Sequence, residues 1–365
     1  MVKRSMLACA VIALALLGPL TRATADPFAY EWHALTPAVW AAIRPDPFEL
    51  PQEGNSVFVV TDRGVVVFDA GGSPAMGQAI VAKVRSVTDQ PITHVVISHW
   101  HGDHMRGLQA IRAAYPQAQI LAHPHARDFI VATQEKWLTR RVKMVPSIRR
   151  AVTEALNEQQ DLSGRPLIPD ERKWLENGLA STDQLDSENR STTYVIPDST
   201  FDGRMTLYLG SEEIQLLHLG RAHTAGDVVI WLPREGILAT GDIVTGPIPL
   251  MPSAYTRDYV GVLNRIKSLG FKTLVPGHGA LQSDTQYVDL LIELIDSVAA
   301  QTRALVAQGV PQEKAIASID FSAVEQRFTH GDAFLTNRFK DYVADGALAA
   351  AAFRVEIQGE PEEVF

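Results

Sequence analysis

Four side chains that can bind a metal ion fall within six consecutive residues, at His99, His101, Asp103 and His104. Side chains two positions apart on an extended segment point the same way, so His99 and His101 are expected to face one metal together. A glycine then permits a sharp turn, after which Asp103 and His104 begin a helix and can face a second metal. The segment therefore predicts a site for two neighbouring metal ions.

Three further candidate ligands lie far along the chain, each at a strand end that is followed by a loop. His223 stands in the sequence GRAHTAGD, Asp242 ends ATGD, and His278 stands in VPGHG. Imidazole and carboxylate ligands without a thiolate suit Zn²⁺, with iron or manganese as alternatives. Thiolate ligands are excluded from the mature chain, because the single cysteine, Cys9, lies in a predicted export signal. We expect these three residues to complete two coordination shells.

The order of these motifs resembles the metallo-β-lactamase superfamily over roughly residues 50 to 285. His-x-His-x-Asp-His comes first, followed by Gly-x-x-His-Thr-x-Gly-Asp, then Gly-Asp, and then Pro-Gly-His-Gly. The resemblance implies an α/β fold, a four-layer αββα sandwich with the site at one edge. The implied ligands are His99, His101 and His223 for one metal and Asp103, His104 and His278 for the other, with Asp242 bridging. It also implies that Asp69, at a strand end, supports the ligands.

The resemblance implies a hydrolase that uses two zinc ions. Two divalent ions can lower the pKa of a water held between them, so that a metal-bridging hydroxide attacks a carbonyl carbon. Asp103 is the expected catalytic residue, because it would orient that water as well as bind metal. The ligand pattern is closer to glyoxalase II and the lactonases than to the zinc β-lactamases that use a cysteine ligand. Lactams, lactones, esters and thioesters fit this chemistry, and a β-lactam is the leading expectation because it occurs in the compartment outside the cytoplasm.

Three other functions stay open on the residues alone. The first is a lactonase or esterase. The second is a non-catalytic or slow accessory metal-binding protein of a periplasmic redox pathway. The third is a persulfide dioxygenase with a single iron, which shares part of the ligand set.

The elements that would position these residues are short β-branched runs between residues 50 and 280, which predict strands. The predicted strands cover residues 56–61, 65–69, 93–98, 119–122, 205–209, 213–219, 228–232, 236–239 and 273–275. Residues 126–200 are charged and favour helix, so they predict a helical insertion. A helical stripe begins at Tyr287. We therefore predict a metallo-β-lactamase-like domain over residues 26–285, followed by a C-terminal helical extension and tail over residues 286–365.

The first 25 residues resemble an export signal. Two basic residues precede an apolar run over Met6–Leu17, and small residues at Ala23 and Ala25 suit a signal peptidase. We predict a signal peptide over residues 1–25 and a periplasmic or secreted protein without a stable membrane anchor. With 33 basic and 42 acidic residues the net charge is −9, which disfavours nucleic acid as a partner. A small-molecule substrate is the expected partner.

Two segments are expected to form the walls of a substrate pocket. One is the apolar loop over residues 246–255, which follows Asp242. The other is the helical insertion, whose candidate wall residues are Trp137, Leu138, Met144 and Trp174. Arg140 and Arg141 are adjacent on a predicted helix and are not expected to face the pocket together.

Overall fold

The fold is a mixed α/β sandwich, seen in a computed structural model that describes residues 26–44 and 53–361. The predicted signal peptide over residues 1–25 lies outside the described residues. Two sheets stack face to face, and helices cover the outer face of each sheet. The predicted four-layer αββα architecture is confirmed.

The first sheet has seven strands that neighbour one another in chain order. The first four strands pair antiparallel, and the pairs from the fourth to the seventh are parallel. The strands are β1 (Glu31–Ala34), β2 (Val39–Ile43), β3 (Ser56–Thr61), β4 (Gly64–Phe68), β5 (Ile92–Val96), β6 (Gln119–Ala122) and β7 (Ser199–Thr200). Every residue of β4 is buried, as is typical of a central strand covered on both faces.

The second sheet has five strands in the order β12-β11-β10-β9-β8. All of its pairs are antiparallel except that of β11 with β12. The strands are β8 (Arg204–Leu209), β9 (Glu212–Leu217), β10 (Val229–Leu232), β11 (Ile237–Ala239) and β12 (Thr273–Val275). A 3₁₀ turn over Gly241–Ile243 follows β11 directly.

The helices form three groups. One group covers the outer face of the first sheet, a second covers the outer face of the second sheet, and the third forms the predicted insertion. The first sheet is covered by α1 (Pro74–Val87), α2 (Gly102–Met105) and α3 (Leu108–Ala114). The predicted insertion contains α4 (Pro124–Glu158) and α5 (Pro169–Ser191). The second sheet is covered by α6 (Thr256–Ser268), α7 (Gln286–Ala307), α8 (Gln312–Ala317), α9 (Ser322–Thr329), α10 (Ala333–Phe339), a π-helical segment (Lys340–Ala344) and α11 (Ala347–Gln358).

Three apolar clusters hold these layers together. The middle one lies between the sheets, where Val57 and Phe68 of the first sheet pack in one cluster with Ile214 and Ile230 of the second. Side chains alternate across a strand, so the remaining apolar residues of each sheet are left for the helices outside. None of the helices in the described ranges combines the length and the apolar character needed to cross a membrane.

The strand predictions differ from the structure in two respects. The strands β1 and β2 precede the predicted strand region and were not predicted from the pattern, and neither was β7, which lies at the end of the predicted helical insertion. The strand predicted over Thr93–Ser98 ends at Val96, so His99 and His101 lie in the bend that follows it. These two histidines are therefore carried by irregular backbone and not by the extended strand on which alternating side chains were expected.

Candidate metal centre

All seven predicted metal ligands lie at one edge of the sandwich. His99 and His101 follow β5, and α2 carries Asp103 and His104. His223 lies in the loop between β9 and β10. Asp242 lies in the 3₁₀ turn after β11, and His278 follows β12. Four strand ends from two sheets thus converge on one place.

The first cluster consists of His99, His101, His223 and Asp242, with one donor atom of each within 4.8 Å of all the others. Nε2 of His99 and Nε2 of His223 each lie 3.6 Å from Oδ2 of Asp242. Nε2 of His223 is 3.2 Å from Nδ1 of His101. All four side chains are buried. This spacing is compatible with three imidazoles and one carboxylate around a single cation.

The second cluster consists of Asp103, His104, Asp242 and His278 and satisfies the same distance limit. Nε2 of His278 lies 3.1 Å from Oδ2 of Asp103. Nε2 of His104 lies 3.0 Å from Oδ1 of Asp242. The two oxygens of Asp242 therefore face different clusters, which is the arrangement expected of a bridging carboxylate.

The donor set and its buried polar atoms fit divalent cations. Nε2 of His99 and Oδ1 of Asp103 are buried and have no hydrogen-bond partner among the described residues. A buried polar atom without a partner is costly, so these atoms require something to bind. Nitrogen and oxygen donors without sulfur suit Zn²⁺, iron or manganese. That the seven residues hold two metal ions remains a prediction.

The ionisation states of the two clusters differ. Burial holds the pKa of His99 well below its ordinary value and lowers that of His101 to about 3, so both imidazoles are neutral at pH 7. Burial would raise the pKa of Asp242, but His104 and His278 hold it well below its ordinary value. Burial would lower the pKa of His278, but Asp242 and Asp103 raise it to about 9. The second cluster must therefore release protons when it binds a cation.

Side chains behind the ligands hold them in place. Asp69 accepts a 2.8 Å hydrogen bond from Nδ1 of His104 and a 2.7 Å bond from the backbone N–H of Ser98. Its φ is +60°, a conformation that aspartate adopts more readily than most residues. Asp227 accepts hydrogen bonds from the backbone N–H and the hydroxyl of Thr224, next to His223. The structure thus places Asp69 where the resemblance implied.

Asn55 supports the centre and was missed by the sequence analysis. Its Nδ2 donates hydrogen bonds of 3.0 Å to the carbonyls of both Pro276 and Gly279, which flank His278. Its backbone N–H donates to the carbonyl of Gly277 at 2.7 Å. A lone asparagine at the start of a strand carries no pattern that predicts a partner more than 200 residues away.

A cavity of about 460 Å³ opens onto both clusters. The helices α4 and α5 and the loop after Asp242 form its walls. The predicted wall residues Trp137 and Met144 line it, as do Gly246, Ile248 and Leu250 of the loop. Leu138 and Trp174 are not among the lining residues, and Trp174 instead packs with Leu175 and Phe334.

Arg140 and Arg141 both line this cavity, contrary to the sequence-based expectation. Successive residues on an α-helix are only about 100° apart, and the long arginine side chain can reach around its own helix. Both arginine side chains can therefore line a cavity that lies against α4.

Comparisons with known proteins agree with the fold and the motifs. The family described as the metallo-β-lactamase superfamily matches residues 50–278. A linear primary-alkylsulfatase from a Pseudomonas species is 22% identical over 241 residues, covering 63% of this chain and 42% of that protein. A metallo-β-lactamase type 2 from Elizabethkingia meningoseptica is 28% identical over 92 residues, covering 24% of this chain and 37% of that protein. The chain spans less than half the length of these curated relatives.

Two solved structures share the fold at low sequence identity. A metallo-β-lactamase from Pontibacter korlensis has a TM-score of 0.52 and 16% identity, covering 73% of this chain and 99% of its own. A double mutant of the sec-alkyl sulfatase PisA1 has a TM-score of 0.59 and 13% identity, covering 90% of this chain and 50% of its own. At these identities the structures support the fold alone.

Proposed function

This chain belongs to the metallo-β-lactamase superfamily, and from that premise we propose that it is an exported, dinuclear metal-dependent hydrolase. One observation carries the proposal. Asp242 is shared between two clusters of four donors each, and its two oxygens face opposite clusters. Two clusters also favour a hydrolase over a dioxygenase that uses a single iron.

Each of the seven candidate ligands has a proposed role in this hydrolase. Two divalent ions, with zinc the first expectation, would supply an activated water and an electrophilic centre. His99, His101 and His223 would hold one ion, Asp103, His104 and His278 would hold the other, and Asp242 would hold both. Asp103 would also be the catalytic residue, because its buried Oδ1 has no hydrogen-bond partner among the described residues and can accept a hydrogen bond that orients the attacking water.

The proposed substrate is a small carbonyl derivative, with a β-lactam as the leading candidate and a lactone or ester as the alternative. The cavity walls carry apolar side chains, and arginines lie among them. Such a pocket suits a molecule with an apolar body and an anionic group. That property also favours a second candidate, a sulfate ester, to which the partial likeness to the alkylsulfatase from Pseudomonas adds support.

The test is a substrate panel run on mature protein beginning at Asp26 whose metal content has been measured. The panel contains a chromogenic cephalosporin, a homoserine lactone, an aryl ester, a thioester and an alkyl sulfate. We expect about two ions per chain and hydrolysis of at least one compound. Two bound ions without hydrolysis of any compound would favour the accessory metal-binding role, and one bound iron with oxygen uptake on persulfide would favour the dioxygenase.

Export is proposed from the N-terminal sequence alone. Fractionation of cells that produce the full chain, followed by N-terminal sequencing, tests it. We expect protein outside the cytoplasm that begins at Asp26, and a cytoplasmic protein that retains Met1 would contradict export.

A further inference from the structure

A chain of three charged side chains runs from the cavity wall into the protein. Arg141 of α4 lines the cavity together with Asp103, and about a quarter of its side chain is exposed. Its Nη2 lies 4.0 Å from Oε1 of Glu53. On the far side of Glu53, Nη1 of Arg106 lies 3.7 Å from Oε2 and donates a 3.1 Å hydrogen bond to the carbonyl of Gly72.

Glu53 and Arg106 are both buried, so the charges of these side chains must be balanced within the protein. The side chain of Glu53 is 0% exposed and that of Arg106 is 2% exposed. A buried carboxylate requires a compensating cation, and Arg106 supplies one. Among these three side chains, the second guanidinium, that of Arg141, therefore leaves one surplus positive charge, on which the carboxylate of Asp103 also acts. Burial and the nearby Arg106 lower the pKa of Arg141 to about 10, so it stays cationic at neutral pH.

Glu53 also fixes where that surplus charge lies. Its carboxylate oxygens have no hydrogen-bond partner among the described residues. Burial raises the pKa of Glu53, and the largest opposing effects come from the guanidinium groups of Arg106 and Arg141, with smaller effects from Asp103 and Arg44. Gly72 lies so close to Oε2 that a Cβ at that position would overlap it. The carboxylate is thus confined on one side by backbone and cannot move away from Arg141 in that direction.

The rest of the cavity extends away from Arg141 and is largely apolar. Val145, Ile148 and Val152 follow Arg141 along the same helix and line the cavity. At the rise of an α-helix, Val152 lies about 16 Å along the helix axis from Arg141. Leu179 and Leu185 line it from α5. Arg149 also lines the cavity, but it already has a carboxylate partner, because it forms an ion pair with Asp183 on α5. A ligand would therefore meet its cationic contact near Asp103 and its apolar contacts farther along α4.

We propose that Arg141 determines specificity by binding an oxyanion of the substrate, a carboxylate or a sulfate group, and that Glu53 is the positioning residue for its guanidinium. This inference rests on the proposed hydrolase and adds the substrate class, an amphipathic anion. A guanidinium presents two parallel N–H groups that match the oxygens of either anion. Lysine, with a point charge on a flexible stem, would replace it only in part.

The kinetic test compares two esters with the same leaving group, neutral p-nitrophenyl valerate and anionic p-nitrophenyl hemiglutarate. In Arg141→Ala we expect KM for the anionic ester to rise about tenfold or more, with the neutral ester changed less than about twofold. Arg141→Lys should restore part of the loss. Glu53→Gln should raise KM for the anionic ester several-fold more than KM for the neutral one. Arg150→Ala removes an exposed arginine of the same helix and is the matched control.

A binding test separates this inference from the hydrolase proposal, because it needs no turnover. Hexane-1-sulfonate, hexanoate and hexan-1-ol are titrated calorimetrically into wild type, Arg141→Ala and Arg150→Ala, each with and without metal. We expect both anions, or one of them, to bind wild type about tenfold more tightly than the alcohol. In metal-free protein, this preference for an anion over the alcohol should disappear in Arg141→Ala but not in Arg150→Ala. The anion that wild type prefers shows whether Arg141 binds a carboxylate or a sulfate-like group.

Three results would overturn the inference. They are an unchanged anion preference in Arg141→Ala, an equal loss in Arg150→Ala, or an equal loss for the neutral and anionic ligands. Thermal unfolding of each variant shows whether it is folded. If Glu53→Gln does not fold, the comparison of Arg141→Ala with Arg141→Lys still decides the role of Arg141. Anion binding without hydrolysis of any compound in the substrate panel would refute the hydrolase proposal and leave the role of Arg141 in binding intact.

Discussion

Asp69 and His104 form a buried hydrogen bond in which Nδ1 of the imidazole lies 2.8 Å from Oδ2 of the carboxylate. An ionised carboxylate can only accept, so Nδ1 carries the hydrogen. Nε2 of the same ring then points toward Asp242 and Asp103, at 3.0 and 3.4 Å from their oxygens. Asp69 thus sets both the ring orientation and the atom that is offered to a cation.

We predict that Asp69→Asn weakens metal binding at the second cluster by about 10 to 100-fold, because the ligand His104 loses its fixed orientation. Titration against a chromophoric chelator measures the affinity. The same substitution at the exposed Asp128 is the control and should change nothing. An unchanged affinity in Asp69→Asn would show that the ring is held by its packing alone.

Metal stoichiometry should report which cluster each ligand serves. His101 belongs to the first cluster alone and His278 to the second alone, whereas Asp242 belongs to both. We therefore predict that His101→Ala and His278→Ala each lose about one ion, and that Asp242→Ala loses both, with hydrolysis abolished where metal is lost. Elemental analysis of purified variants provides the measurement. Retention of one tightly bound ion in Asp242→Ala would argue against a bridging carboxylate.

Metal binding to the second cluster should depend on pH in a defined direction. Without metal, Asp242 and Asp103 raise the pKa of His278 to about 9, so the imidazole is protonated at pH 7. A cation must displace this proton, and for this proton its affinity should rise from pH 7 to 9 by up to about tenfold per pH unit. Calorimetric titrations in buffers of different ionisation enthalpy count the protons released. In His278→Ala, which is expected to lose this ion, the proton release that accompanies its binding should disappear, and an unchanged count would contradict the assignment.

Asn55 should contribute to stability as well as to the position of His278. Asn55→Ala leaves the carbonyls of Pro276 and Gly279 without their donor. We expect the free energy of unfolding to fall by about 2–6 kcal/mol, since each of the two buried carbonyls left unpaired costs about 1–3 kcal/mol. Urea unfolding of metal-free protein measures it. Asn264→Ala, at an exposed asparagine that bonds within its own helix, should cost less than about 1 kcal/mol.

Much of the fold was predictable from local patterns. The strands over Ser56–Thr61, Gln119–Ala122 and Thr273–Val275 match their predicted bounds, because short β-branched runs between turn residues carry a strong local signal. The strand β2 was not predicted, and three of its five residues, Ala41, Ala42 and Val39, are almost fully buried. Two alanines carry little strand preference, so it is the pairing with β3 that makes this segment a strand.

The sequence by itself determined which residues can bind metal. Histidine and aspartate at this motif spacing indicate metal binding before the fold is known, and the seven candidates do lie together in the structure. Only the tertiary structure decided that the two oxygens of Asp242 face different clusters, that Asn55 holds the loop of His278, and that Glu53 faces Arg141 across the chain. Each of these relationships joins residues that lie far apart in the sequence and belong to no recognisable motif. They therefore form only when the two sheets and α4 pack together.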